Sequence, residues 1–288
     1  MICTVKQEDR VIAERFERLC DYTFIPGQPI PADPLRTYVI FCKTDHVRFL
    51  FSACSQNHQS NYIVFTTNSD FPATHQLIQR MPANVIKWFS QNVEYLHPKL
   101  ESIPIGSATA TWVGIEEHAE IKEAPEYKII KETKEPKRFQ NLVYMNFAIH
   151  TNPTHRRKVY EHFKDKEWVT VRPCDIPQHM YERSEHYNKV GVYFEELYNH
   201  KFAISPLGNG VDCGRVWQSI YLGTIPIVPN HLNVKFYSDL PILVYDDINE
   251  ITKPYLEAKW EEMSNKKYDL SKAKVSYWKE RIKNIKYA

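Results

Sequence analysis

Short runs of consecutive apolar residues, with little polar alternation, recur along the chain. The clearest are 38–42 (Tyr-Val-Ile-Phe-Cys) and 62–66 (Tyr-Ile-Val-Phe-Thr), with weaker versions at 85–89 and 102–105. Runs of this length, rich in β-branched and aromatic residues, predict strands buried on both faces, as in a parallel sheet. Further strands are predicted at 142–145, 168–171, 202–204, 225–228 and 241–245. Helical spacing lies between them, which is the pattern of βαβ units. One helix is predicted over 7–20, another from Asn152-Pro153, where a polar cap precedes a first-turn proline, and another over 193–200. Near the end, Val275, Trp278, Ile282 and Ile285 form an apolar stripe flanked by lysines. Such a stripe predicts a docked helix with a solvated face rather than a nucleic-acid surface.

Between Glu116 and Arg138 the texture changes to dense, mixed charge with few large apolar residues. The domain boundary is placed there. The expected organisation is an N-terminal Rossmann-like domain over 1–128, a second over 129–265, and a C-terminal helix over 266–288 packing back on the body.

Composition narrows the partners. Of 288 residues, 37 are Lys or Arg and 35 are Asp or Glu, a formal charge of +2, so nucleic acid is not an expected partner. The six cysteines form no CxxC pair. With no signal-peptide pattern and no long apolar run, the reading is a soluble, cytoplasmic protein.

Glycine is scarce, with 8 in all, and half of these lie between Gly208 and Gly223. The stretch Ser205-Pro206-Leu207-Gly208-Asn209-Gly210-Val211-Asp212-Cys213-Gly214-Arg215 connects a predicted strand to a helix expected over 213–222 and ended by Gly223. Positive φ at the glycines is expected to let this loop bend tightly against a ligand. The free N–H groups and dipole of the helix favour an anion there, and a diphosphate is the common case. With Asp212 as N-cap, Arg215 falls in the first turn, where a cation opposes the dipole unless an anion compensates. Gln218 and Ser219 follow on the same face, in reach of ribose hydroxyls. The competing reading is a glycine-rich connection with a surface arginine. Asn152 and Arg156 lie at the first helix start of the second half, with Arg156 either a second phosphate ligand or an exposed helix arginine.

The pattern Ser205-Pro206-x-Gly208-Asn209-Gly210-x-Asp212-x-x-Arg215-x-Trp217, followed by Gly223-x-Ile225-Pro226-Ile227-Val228, resembles the donor-binding signature of exostosin-family glycosyltransferases. Leu240-Pro241-Ile242-Leu243 with Asp246-Asp247, and Trp88-Phe89-x-Gln91-Asn92 upstream, agree with it. The resemblance implies a GT-B fold, two Rossmann-like α/β domains facing each other across a cleft. It further implies inverting transfer of a sugar from a UDP-sugar (a pentose such as xylose is one choice) to a hydroxyl of a glycan acceptor, without a required metal. Many members carry Glu where this chain has Gln218. A non-catalytic nucleotide-sugar-binding subunit is therefore the alternative function.

Inversion needs a base. The strand ends of the first half carry Asp45, His46 and Asp70. Asp45 is favoured because the first strand of such a domain is expected to run through the middle of its sheet. Helix capping by Asp45 and turn formation by Asp70 are the structural alternatives. Asp246-Asp247 is read as a helix cap, since a divalent ion needs more oxygen ligands than a pair supplies.

Overall fold

The computed structural model describes residues 5–107, 139, 141–172 and 192–287. The proposed boundary at residue 128 lies outside the described residues. The fold is mixed α/β with two five-stranded sheets in which every strand pair is parallel. The first holds β1 (Tyr22–Thr23), β2 (Thr37–Lys43), β3 (Asn61–Thr67), β4 (Val85–Ser90) and β5 (Leu100–Ser102), in sequential order. The second holds β6 (Asn141–Met145), β7 (Val169–Val171), β8 (His200–Ile204), β9 (Ile225–Pro229) and β10 (Leu243–Tyr245), in the order β10-β9-β8-β6-β7.

Sequential parallel order sends every right-handed crossover to one face of the first sheet. The helix Val47–Gln56 covers that face, burying Leu50, Phe51 and Cys54 against Tyr38, Ile40, Cys42, Tyr62 and Val64. The opposite face would be bare without elements from the two ends of the chain. Phe16 of the helix Ala13–Glu17, and Trp278 and Ile282 of the helix Val275–Lys286, meet Val39, Phe41, Ile63 and Phe65 there. Alternate residues of β2 and β3 thus serve two cores, and that is why the runs lack polar alternation. Glu101 fastens the C-terminal helix from β5, accepting from Arg281 Nε and Nη2 at 3.2 and 2.9 Å. Lysines flanking the stripe find acids, Lys286 with Asp21 and Lys272 with Asp239.

Buried hydrogen bonds join the two halves. Asn233 Oδ1 accepts from the Val93 N–H at 3.0 Å and from Ser102 Oγ at 2.8 Å. The Tyr221 hydroxyl accepts from the Val11 N–H and donates to the Ala273 carbonyl, at 2.8 and 2.9 Å. In the second sheet the order reverses between β6 and β8, so the connections leaving their C-terminal ends diverge. Open α/β sheets bind ligands at such a switch point. Here it is flanked by residues 146–152 after β6 and 205–213 after β8.

Candidate functional site

Arg156 laces these two connections together. It is buried on the helix Pro153–Phe163, with Nε donating to the Leu207 carbonyl at 2.8 Å and Nη1 to the Ala148 carbonyl at 2.7 Å. Asn152 caps its own helix through Oδ1 and donates from Nδ2 to the Gly208 carbonyl at 3.0 Å. Arg156 therefore holds the loop's shape from behind and is not an exposed helix arginine. The glycines are needed for space, not for the positive φ expected from the sequence. Among the described glycines only Gly27, Gly106 and Gly223 have positive φ. A Cβ on Gly208 would sit 2.8 Å from Arg156 Nη2, and one on Gly210 would sit 2.6 Å from Asn92 Nδ2. The close approach is real, but the approaching groups are this chain's own side chains.

The expectation that Asp212 is the N-cap is corrected. Cys213 occupies that position and makes no side-chain cap bond, and the helix is Gly214–Leu222. Trp217 draws the Asp212 carboxylate away from the cap position. Its indole Nε1, one turn along, lies 3.0 Å from both Asp212 oxygens, and the Ile105 N–H of the first half donates to Oδ2 at 2.8 Å. The Asp212 N–H in turn donates to Asn92 Oδ1 at 3.0 Å. Burial pushes the Asp212 carboxyl up to about 7, outweighing these donors and the Cys213 N–H, which act to lower it.

With no side chain at the cap, the Gly214 and Arg215 N–H groups that open the helix Gly214–Leu222 receive no cap bond at the switch point, whereas the Val216 N–H turns back to the Cys213 carbonyl at 3.0 Å. Arg215 stands in that first turn with no acidic residue beside it. Its Nε is buried without a hydrogen-bond partner, and its guanidinium lies 6.0 Å from the Phe147 ring centroid. Arg156 approaches the same ring at 5.6 Å. The result is a concentrated positive end where an anion would satisfy both the backbone donors and the guanidinium.

The other two helix residues expected to face a ligand are turned to structural uses. Ser219 is buried, and its Oγ donates to the Arg215 carbonyl at 2.7 Å. Gln218 is buried, with Oε1 accepting from the Tyr193 hydroxyl at 2.7 Å. The helix is covered on nearly all sides, so the narrow ligand-facing stripe expected from spacing holds Arg215 but not Ser219.

Between the two halves, Asp70 Oδ2 accepts from Asn209 Nδ2 at 3.1 Å, which brings a candidate base from the first half against the loop of the second. Asp70 follows β3, the central strand of the first sheet, whereas Asp45 follows β2. The argument that favoured Asp45 by its central strand therefore transfers to Asp70. Asp45 is exposed in a turn, Thr44–His46, and His46 takes the N-cap position of the next helix without a side-chain bond. Among the described residues no hydrogen bond joins either to the second half.

Asn92, Ile105, Phe147 and Tyr193 complete the site, although none is among the binding or catalytic residues expected from the sequence. Asn92 adopts φ +55° just after β4, and its Nδ2 reaches the carbonyls of Ser69 and Asp70 at 3.3 and 3.5 Å. Its place in the Gln91-Asn92 motif was the available signal. Among the described residues no three His, Cys, Asp or Glu side chains are grouped to hold a metal ion. Asp247 caps a short turn through the Asn249 N–H at 3.0 Å, and Asp246 accepts from Asn230 at 2.7 Å. Among the described residues no helix is long and apolar enough to cross a membrane. The sequence matches no protein-family model and no curated protein.

Proposed function

We propose that the chain is an inverting glycosyltransferase of GT-B arrangement, transferring a sugar from a UDP-sugar to a hydroxyl of a glycan acceptor. The observation that carries this reading is the partnerless, buried Nε of Arg215 beside an uncapped helix N-terminus at the switch point. The exostosin-like signature over 205–228 supports it.

In this reading the diphosphate lies against the Gly214 and Arg215 N–H groups and the Arg215 guanidinium. Asp70, steered by Asn209, takes the proton of the acceptor hydroxyl as its oxygen bonds to the anomeric carbon. The bond from that carbon to the β-phosphate oxygen breaks on the opposite face, and UDP leaves with the electron pair. Preorganised donors stabilise the departing charge, and losing one such contact typically costs on the order of 10²–10³ in rate.

Isothermal titration with UDP, with and without chelator, tests the donor site. The wild type is expected to bind and Arg215→Ala to weaken binding roughly 10- to 100-fold, as for loss of charge-assisted hydrogen bonds. No binding at millimolar UDP sinks the proposal. The non-catalytic alternative is favoured by Gln218 being committed to Tyr193. It predicts the same UDP affinity with no hydrolysis or transfer from any of a panel of UDP-sugars.

A further inference from the structure

The connections following β3 and β4 run side by side next to the 205–213 loop of the second half. Ala73 bridges Val93 in parallel, with the Ala73 N–H donating to the Asn92 carbonyl at 3.0 Å and the Glu94 N–H to the Ala73 carbonyl at 3.2 Å. This ribbon begins at Asp70, already in contact with Asn209. It carries an unusual concentration of exposed apolar surface for so short a stretch. Phe71 is 62% exposed, Leu96 65% and Tyr95 41%. The His75 and Tyr95 rings lie 4.4 Å apart, inclined by 35°. Single exposed apolar residues are ordinary, but a group of them beside a candidate site marks a binding surface.

We propose that Phe71, His75, Tyr95 and Leu96 form a stacking platform for an uncharged carbohydrate chain, placed so that its end reaches Asp70. The inference rests on the function proposed above and names the acceptor class of that site. The C–H faces of a pyranose pack on aromatic rings while its hydroxyls stay in water, so exposed rings suit this ligand better than a folded protein surface. Charge chooses among carbohydrates. Residues 68–76 and 91–96 contain two acids, Asp70 and Glu94, and no Lys or Arg. A polyanion such as a uronate chain, a sulfated glycan or a nucleic acid is repelled there, and a neutral chain is not. The four Cα–Cα steps from Phe71 to His75 span at most ~14 Å, roughly the length of two or three pyranose units.

The test titrates the full chain, with and without UDP, using cellotetraose, xylotetraose, chitotetraose and tetragalacturonate as probes, read by saturation-transfer NMR and calorimetry. At least one neutral tetrasaccharide is expected to bind and tetragalacturonate to bind more weakly or not at all. Phe71→Ala and Tyr95→Ala are each expected to weaken the neutral probe roughly tenfold, the upper end of ring-packing contributions, with UDP affinity unchanged. Phe71→Tyr and Tyr95→Phe keep the rings and retain binding. The platform is overturned if no neutral probe binds, if both alanine variants bind normally, or if the uronate is preferred. Absence of UDP binding, by contrast, strikes the donor site and leaves the platform to be judged by the same titrations without UDP.

Discussion

Gly106→Ala is expected to destabilise the protein by about 3 kcal/mol or more, while Gly27→Ala costs about 1 kcal/mol. Both glycines have positive φ, +77° and +86°. Forcing an L-residue into that region costs roughly 1–2 kcal/mol at either site. The difference is what the new methyl meets. At Gly27 nothing lies within 4 Å. At Gly106 the Cβ would sit 2.1 Å from the Val11 carbonyl oxygen and 2.5 Å from its carbon, so backbone has to move. Val11 cannot yield cheaply, because its N–H is bound by the Tyr221 hydroxyl at 2.8 Å and its carbonyl accepts from the Ser107 N–H at 3.0 Å. Overpacking of this kind adds roughly 1–3 kcal/mol. The shift also disturbs the neighbouring Ile105 N–H, which donates to Asp212. Urea unfolding of the two variants, compared by midpoint at constant slope, separates the conformational cost from the steric one. Equal losses at the two sites would show that Val11 relaxes freely and that this junction is not rigid.

What was readable in the sequence, and what was not, divides along the range of the interactions. The two-faced strands β2 and β3 announced themselves because a parallel sheet covered on both sides leaves no polar alternation. The stripe from Val275 to Ile285 was equally plain, since a helix face needs only local spacing. Nothing local stated that this helix would close the first sheet, and β1, two residues long, carries too little pattern to be seen. In the loop, glycine scarcity correctly drew attention to 208–214, but the reason for the glycines lay in Arg156 and Asn92, which are distant in sequence. The placement of Asp212 failed for a similar reason. An Asp just before a helix is ordinarily its cap, but Trp217 and the Ile105 N–H offer donors in a drier place. The Asp-x-x-x-x-Trp spacing was the one local hint. Asp70 was ranked below Asp45 because strand order cannot be read from strand composition.

Asp212 also makes the stability of the junction depend on pH in a direction opposite to most carboxylates. Its folded-state pKa is raised from the ordinary 3.8 to about 7 by burial. The folded protein therefore holds a proton that the unfolded chain has released across this interval. The group's contribution is fully present below pH ~4 and is lost as pH rises through the folded value near 7. A shift of about three pKa units corresponds to about 4 kcal/mol in all, of which about 3 kcal/mol falls between pH 5 and 8. Asp212→Asn removes the titration while keeping the shape. An amide resembles the protonated acid in presenting one acceptor oxygen, so the variant stands in for the form of Asp212 that prevails at low pH. Its NH2 group replaces one oxygen of a carboxylate surrounded by the donors Ile105 N–H, Trp217 Nε1–H and Cys213 N–H, and the unpaired donor costs about 1–3 kcal/mol at every pH. The difference between the two proteins is thus expected to move in favour of the variant by about 3 kcal/mol from pH 5 to pH 8. Denaturant unfolding at closely spaced pH values measures it directly, because all other titrating groups are common to both chains and cancel. A difference that stays flat across this range would mean the carboxylate is charged throughout, compensated by Ile105, Trp217 and Cys213. The junction between the halves would then be held by an anion rather than by an acid.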